Sequence, residues 1–128
     1  MAAATGDAFC FLDDDDWFYL RHLEVLIGAL SAHPDAVAAY TMAHEVSVRP
    51  AADDAIPVEV GRRTVGQVPF SRAALWMANT MPIQTVLFRR GLFECLGGFI
   101  PELNALEDWD LWLRYSAAGD FIGAPEIT

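Results

Sequence analysis

The chain has 128 residues, the size of one domain, and its 54% apolar and 12% aromatic content is enough for a buried core and excludes general disorder. A formal net charge of -10, with only 8 Lys and Arg, excludes a general nucleic-acid binder, because affinity for phosphate backbones comes from basic side chains. Every apolar run is interrupted by Asp, Arg, His or Glu before it reaches bilayer length, and Met1 opens neither a basic start nor an apolar core of a signal peptide. A soluble, cytoplasmic setting is therefore expected, with any attachment at a membrane surface left to other segments.

Taken in chain order, Ala8 to Leu12 is a short continuous apolar run that predicts a buried, central, parallel strand, and it delivers Asp13 to Asp16 at its carboxyl end. Apolar residues at Trp17, Leu20, Leu23, Ile27 and Leu30 predict a helix from Trp17 to about Ala32, capped by Asp16 and ended at His33-Pro34. Ala36 to Val48, free of Gly and Pro, reads as a second strand. Residues 49–70 are punctuated by Pro50, Pro57, Gly61, Gly66 and Pro69, with a turn at Asp53-Asp54. They read as a loop or hairpin insertion, with a short hairpin around Val58 to Val68. Ser71 is placed to cap a helix through Met77, Met81 to Phe88 reads as a strand, and Arg90 to Leu96 reads as a helix that Gly97-Gly98 ends. A last helix spans Glu107 to Ala118, before Gly119. Cys10 and Cys95 have no further thiols or histidines at zinc spacing and read as reduced, buried thiols.

Two acidic groups carry the chemistry. Four consecutive aspartates at a strand end repel one another unless a cation sits among them, and Mg²⁺ or Mn²⁺ takes one or two carboxylates plus substrate phosphates and water. The same acids can equally favour a helix N-terminus and be hydrated. An EF-hand does not fit, because no Gly stands at its sharp turn and no Glu closes a twelve-residue loop. The second group is Gly97-Gly98-Phe99 followed, after a Pro-containing loop, by Glu107-Asp108 at a helix start. Trp109 and Trp112, at i and i+3, read as core. Arg114 reads as the partner of a carboxylate, Arg89-Arg90 as a phosphate contact or a solvated helix start, and His44 as structural.

With these motifs in place, the chain resembles glycosyltransferase family 2, which has the GT-A fold. Phe11-Leu12-Asp13-Asp14-Asp15-Asp16-Trp17 is similar to the family's DXD segment, and Gly97-Gly98-Phe99 with Glu107-Asp108 is similar to its glycine-rich acceptor loop and ED motif. Met81 to Arg90 resembles the strand before that loop. The resemblance implies a mixed sheet with helices on both faces and transfer of a sugar, with inversion, from a nucleoside diphosphate sugar to a hydroxyl of a glycan, lipid or other acceptor. It implies Mn²⁺ or Mg²⁺ held by Asp15 with Asp13, and donor contacts at Asp13, Asp14 and Asp15, where four aspartates allow more than one DXD register. Asp108 is implied as the base, and Gly97, Gly98 and Glu107 as lining the sugar or acceptor site.

Family members begin with strand and helix units that hold the nucleobase, and this sequence starts only a few residues before the DXD strand. The 128 residues are thus expected to be the C-terminal portion of a catalytic domain, inactive alone, with an exposed sheet edge open to a second copy. Two other readings share the scaffold. One is a non-catalytic carbohydrate- or protein-binding module, and the other is a sugar nucleotidyltransferase, which leaves Glu107-Asp108 unexplained.

Overall fold

The computed structural model describes residues 1, 3–49, 56–66 and 68–128, so the expected turn at Asp53-Asp54 lies outside the described residues. The elements are β1 (Ala8–Cys10), α1 (His22–Ala32), β2 (Ala38–Arg49), β3 (Val58–Val65), α2 (Arg72–Met77), a 3-10 turn at Ile83–Thr85, β4 (Val86–Arg89), α3 (Arg90–Leu96), α4 (Glu107–Ala118) and β5 (Phe121–Ile127). The strands form one mixed sheet in the order β1-β4-β2-β3. Those neighbours are antiparallel, while β5 joins β2 in parallel.

Strand alternation sorts the core into two layers. Phe9, Ala38, Tyr40, Val86 and Phe88 face one side, where Leu75 of α2, Leu92 of α3, and Leu111, Trp112 and Tyr115 of α4 cover them. Ala39 and Leu87, with Ala8 and Cys10 at their edge, face the other side, against Leu26 and Leu30 of α1. Helices therefore cover both faces, as expected for part of a GT-A fold. Burying each of Leu26, Leu75, Met81, Phe88 and Leu111 contributes about 1.5 to 3 kcal/mol, and an aromatic cluster joining Phe88, Trp112, Tyr115 and Phe121 ties α4 to the sheet.

Several expectations need correction. β1 is neither central nor parallel among the described residues, where it pairs antiparallel with β4 alone, from Ala8 opposite Arg89 to Cys10 opposite Leu87. Its apolar run signals burial on both faces, and burial does not specify a partner's direction. α1 starts at His22 rather than Trp17, and its buried face is His22, Leu26 and Leu30. Trp17, Leu20, Leu23 and Ile27 are 64%, 106%, 46% and 54% exposed. The segment before α1 is held by other bonds, since Phe18 stacks on the His22 ring at 4.0 Å and the Tyr19 hydroxyl meets His44 Nδ1 at 3.0 Å. Asp16 does not cap α1, whose capping position is Arg21 and carries no side-chain capping bond.

The first half of the expected strand from Met81 to Phe88 is instead a 3-10 turn, closed by Thr85, whose amide and hydroxyl both donate to Pro82 O. β5 was not anticipated, because Gly123 and Pro125 interrupt its pattern. Gly123 is required there, since a Cβ would lie 2.7 Å from the Tyr40 ring. β3 pairs with the outer half of β2, Ala43 opposite Val65 through Arg49 opposite Val58. Ser71 caps α2 by accepting from the Ala74 amide. Cys95 is exposed rather than buried, and both cysteines are free.

Candidate active site

Beyond Cys10 the chain leaves the sheet with Phe11 packed between Phe88 and Phe99, at ring separations of 5.9 and 5.1 Å. Asp13 to Asp16 then form a turn, the Asp16 amide donating to Asp13 O at 3.3 Å, and all four side chains are exposed. The Gln84 amide, from the 3-10 turn, donates to Asp16 Oδ2. Among the described residues no side chain bonds Asp13, Asp14 or Asp15, so these carboxylates are open to solvent or ligand.

Across a cleft of about 540 Å³ stands the start of α4. Asp13, Glu107, Asp108 and Asn104 supply the cleft's polar side chains, and Phe11, Ile83 and Phe99 belong to its apolar wall. Asp108 is half-buried and oriented twice, with Asn79 Nδ2 donating to Oδ2 at 2.7 Å and the Trp109 amide donating to Oδ1 at 2.7 Å. The helix beneath is pinned by both indoles, Trp109 Nε1 donating to Leu75 O at 2.6 Å and Trp112 Nε1 to Met81 O at 3.2 Å. Trp112 is fully buried and Trp109 packs against the same cluster, as the core reading expects.

The expected site residues thus divide. Asp13, Glu107 and Asp108 share one cleft, whereas Asp14 and Asp15 lie in the adjoining turn and do not line it. Gly97 and Gly98 do not line it either. Gly97, at φ 75°, ends α3 and its carbonyl accepts from the Tyr115 hydroxyl at 2.8 Å, while Gly98 O accepts from Arg114 Nη2 at 2.8 Å. Arg114 also pairs with Asp110 at 2.7 Å, so the paired glycines aim the following loop at the cleft rather than form its wall. That loop ends at Leu106, whose φ of 61° is left-handed for a bulky residue.

The guanidinium groups of Arg89 and Arg90 are engaged by backbone carbonyls. Arg89 donates to the carbonyls of Leu30, Pro34 and Ala36, and Arg90 to those of Ala4 and Gly6 while lying over the Phe9 ring. Behind the acidic turn, His22 is buried, with Nδ1 2.7 Å from Thr128 Oγ1 and Nε2 3.8 Å from Cys10 Sγ. Burial pushes the Cys10 thiol up to about 11, which leaves it a protonated, unreactive group. Asn79, Gln84 and Asn104 were not anticipated, because an isolated amide carries no motif.

Among the described residues no three His, Cys, Asp or Glu side chains converge as a self-sufficient metal cage. The donor set fits a shared site, in which one or two exposed carboxylates act with phosphate oxygens and water. No helix of the described residues is long and apolar enough to cross a membrane.

A mixed sheet covered by helices on both faces, with acids from a strand end and a helix start lining one cleft, is consistent with part of a GT-A fold. The chain belongs to glycosyl transferase family 2, whose sequence profile matches residues 1–97. The match includes the acidic turn and ends at Gly97, so Glu107 and Asp108 lie beyond it. No curated protein matches the chain.

Proposed function

We propose that this domain transfers a glycosyl group from a nucleoside diphosphate sugar to an acceptor hydroxyl with inversion at the anomeric carbon. The observation that carries the reading is that Asp13, at the end of the β1 segment, and Asp108, at the start of α4, line the same cleft. Asp108 accepts the proton of the acceptor hydroxyl as its oxygen bonds to the anomeric carbon and the bond from that carbon to the diphosphate breaks. Two hydrogen bonds fix the carboxylate on a rigid helix and leave its remaining lone pairs for the acceptor. Glu107 lies next to it on the cleft wall and binds an acceptor or sugar hydroxyl.

Asp15 with Asp13 would hold Mn²⁺ or Mg²⁺, and Asp14 adds a donor contact. When bound, the cation offsets charge on the departing diphosphate. Gly97 and Gly98 serve the acceptor indirectly, through the loop they aim. The turn between Asp13 and Asp16 is held by Gln84, so the carboxylates approach the diphosphate from a fixed base.

We further propose that the 128 residues alone are inactive. The edge of β1 that is unpaired among the described residues offers three residues for added strands or a second copy. The experiment that tests the function is a transfer assay on the intact protein with a panel of nucleoside diphosphate sugars, with Mn²⁺ or with chelator. Chelator-sensitive release of nucleoside diphosphate coupled to an inverted glycoside is the expected result. Glycan binding indifferent to chelator, with no donor turnover, identifies a binding module instead.

A further inference from the structure

The acids make up only part of the cleft, and the loop that leads into α4 supplies the rest. Ile100, Pro101, Leu103 and Leu106 all line it, and Ile100, Leu103 and Leu106 remain 38%, 39% and 58% exposed. A wall built for a bare sugar carries planar rings for stacking and a dense set of amides and charges. Here the rings of the described lining, Phe11 and Phe99, pack against each other at 5.1 Å, and Asn104 is its single amide. Three branched aliphatic side chains left in water beside a carboxylate pair are not explained by the core, because they belong to neither buried cluster. Leu106 keeps this exposure in a left-handed backbone conformation that a glycine would adopt with less strain.

We propose that the acceptor is an amphiphile, a hydroxyl attached to an apolar chain or ring system. Its hydroxyl meets Asp108 and its apolar part lies against Ile100, Leu103 and Leu106. The position of the hydroxyl rests on the assignment of Asp108 as the base, whereas the apolar contact does not. Each methylene that leaves water against this wall raises affinity about three- to fourfold, so two buried methylenes give about a tenfold preference over the same headgroup without a tail.

The test compares octyl β-glucoside with methyl β-glucoside, both below micelle-forming concentrations, by methyl NMR on the 128-residue chain. Octyl glucoside is expected to shift the Ile83, Ile100, Leu103 and Leu106 methyls saturably, with affinity at least about tenfold above methyl glucoside. Leu103→Ser is expected to reduce the octyl response several-fold and leave the methyl glucoside response unchanged. Equal responses to the two glucosides overturn the proposal in favour of headgroup recognition. Shifts of the same size at Leu20, Leu23 and Ile27, exposed around α1, overturn it as general detergent adsorption. Silent loop methyls, in the chain and again in the intact protein, overturn it because that wall then receives no tail. Transfer by the intact protein separates the two assignments. Loss of the octyl preference with transfer still dependent on Asp108 removes the acceptor class alone, and a retained preference with transfer indifferent to Asp108→Asn removes the base alone.

Discussion

Asn79 donates its side-chain amide to Oδ2 of Asp108 at 2.7 Å, from the segment that enters the 3-10 turn before β4. Five residues further on, Gln84 holds Asp16, so one short segment reaches both acidic ends of the cleft. Met81 between them is buried and gives its carbonyl to the Trp112 indole, which fixes the segment to α4.

Asn79→Ala is expected to lower kcat of the intact protein about tenfold while the KM for donor changes less than about twofold, because the lost bond orients a carboxylate that meets the acceptor. Steady-state kinetics at saturating acceptor read this directly. A change confined to donor KM places Asn79 at the other side of the cleft.

Asp108→Asn keeps the shape and the bond from the Trp109 amide but cannot accept a proton, so kcat is expected to fall by about 10²- to 10⁴-fold with donor affinity nearly unchanged. Single-turnover kinetics together with a donor binding isotherm supply both numbers. Activity within a few-fold of wild type removes Asp108 as the base.

Asp15→Ala is expected to abolish most Mn²⁺-dependent donor binding without unfolding the protein, since Asp15 is exposed and removing one of four adjacent carboxylates relieves repulsion. Calorimetric titration of donor with and without Mn²⁺, beside a thermal melt, checks both halves. Unchanged binding at limiting Mn²⁺ excludes Asp15 as a ligand.

His22 gives a stability prediction with a defined sign. Burial lowers its pKa below the usual 6.5, so the unfolded chain binds the extra proton first and the fold is favoured most above about pH 6.5. That contribution is lost as pH falls from 6.5 through the lowered value. The carboxylates held low by arginine partners, Glu24, Glu45 and Glu59, titrate below this range. The melting temperature is therefore expected to drop between pH 7 and 5.5 in the wild type and to stay flatter in His22→Gln. Parallel slopes for the two proteins argue against His22 as the cause.

Much of this arrangement is legible in the amino acids because it rests on local chemistry. Ser71 caps α2, and the glycine pair ends α3 where a positive φ is needed. Glu107 and Asp108 open α4, and the indoles of α4 reach the core. What escaped depends on partners distant in the chain. The apolar spacing from Trp17 suits a helix, yet the Tyr19 hydroxyl meets His44 on β2, and the buried face shifts to His22, Leu26 and Leu30. β5 hides behind a glycine whose reason is the Tyr40 ring on another strand. At the site, carboxylates announce themselves by clustering, whereas Asn79 and Gln84 gain meaning only once the fold brings them to Asp108 and Asp16.

The four tryptophans divide in a way that makes the protein its own optical reporter. Trp17 and Trp76 are 64% and 69% exposed, so their emission is expected to be red-shifted and open to aqueous quenchers. Trp109 and Trp112 donate their indole hydrogens to Leu75 and Met81, on either side of the segment that carries Asn79. Selective quenching of the outer pair by caesium ion, which the aspartates beside Trp17 attract, is expected to leave a signal from the inner pair. Any rearrangement at the start of α4 on ligand binding changes those two indole bonds, and so becomes visible as a shift in colour without a label.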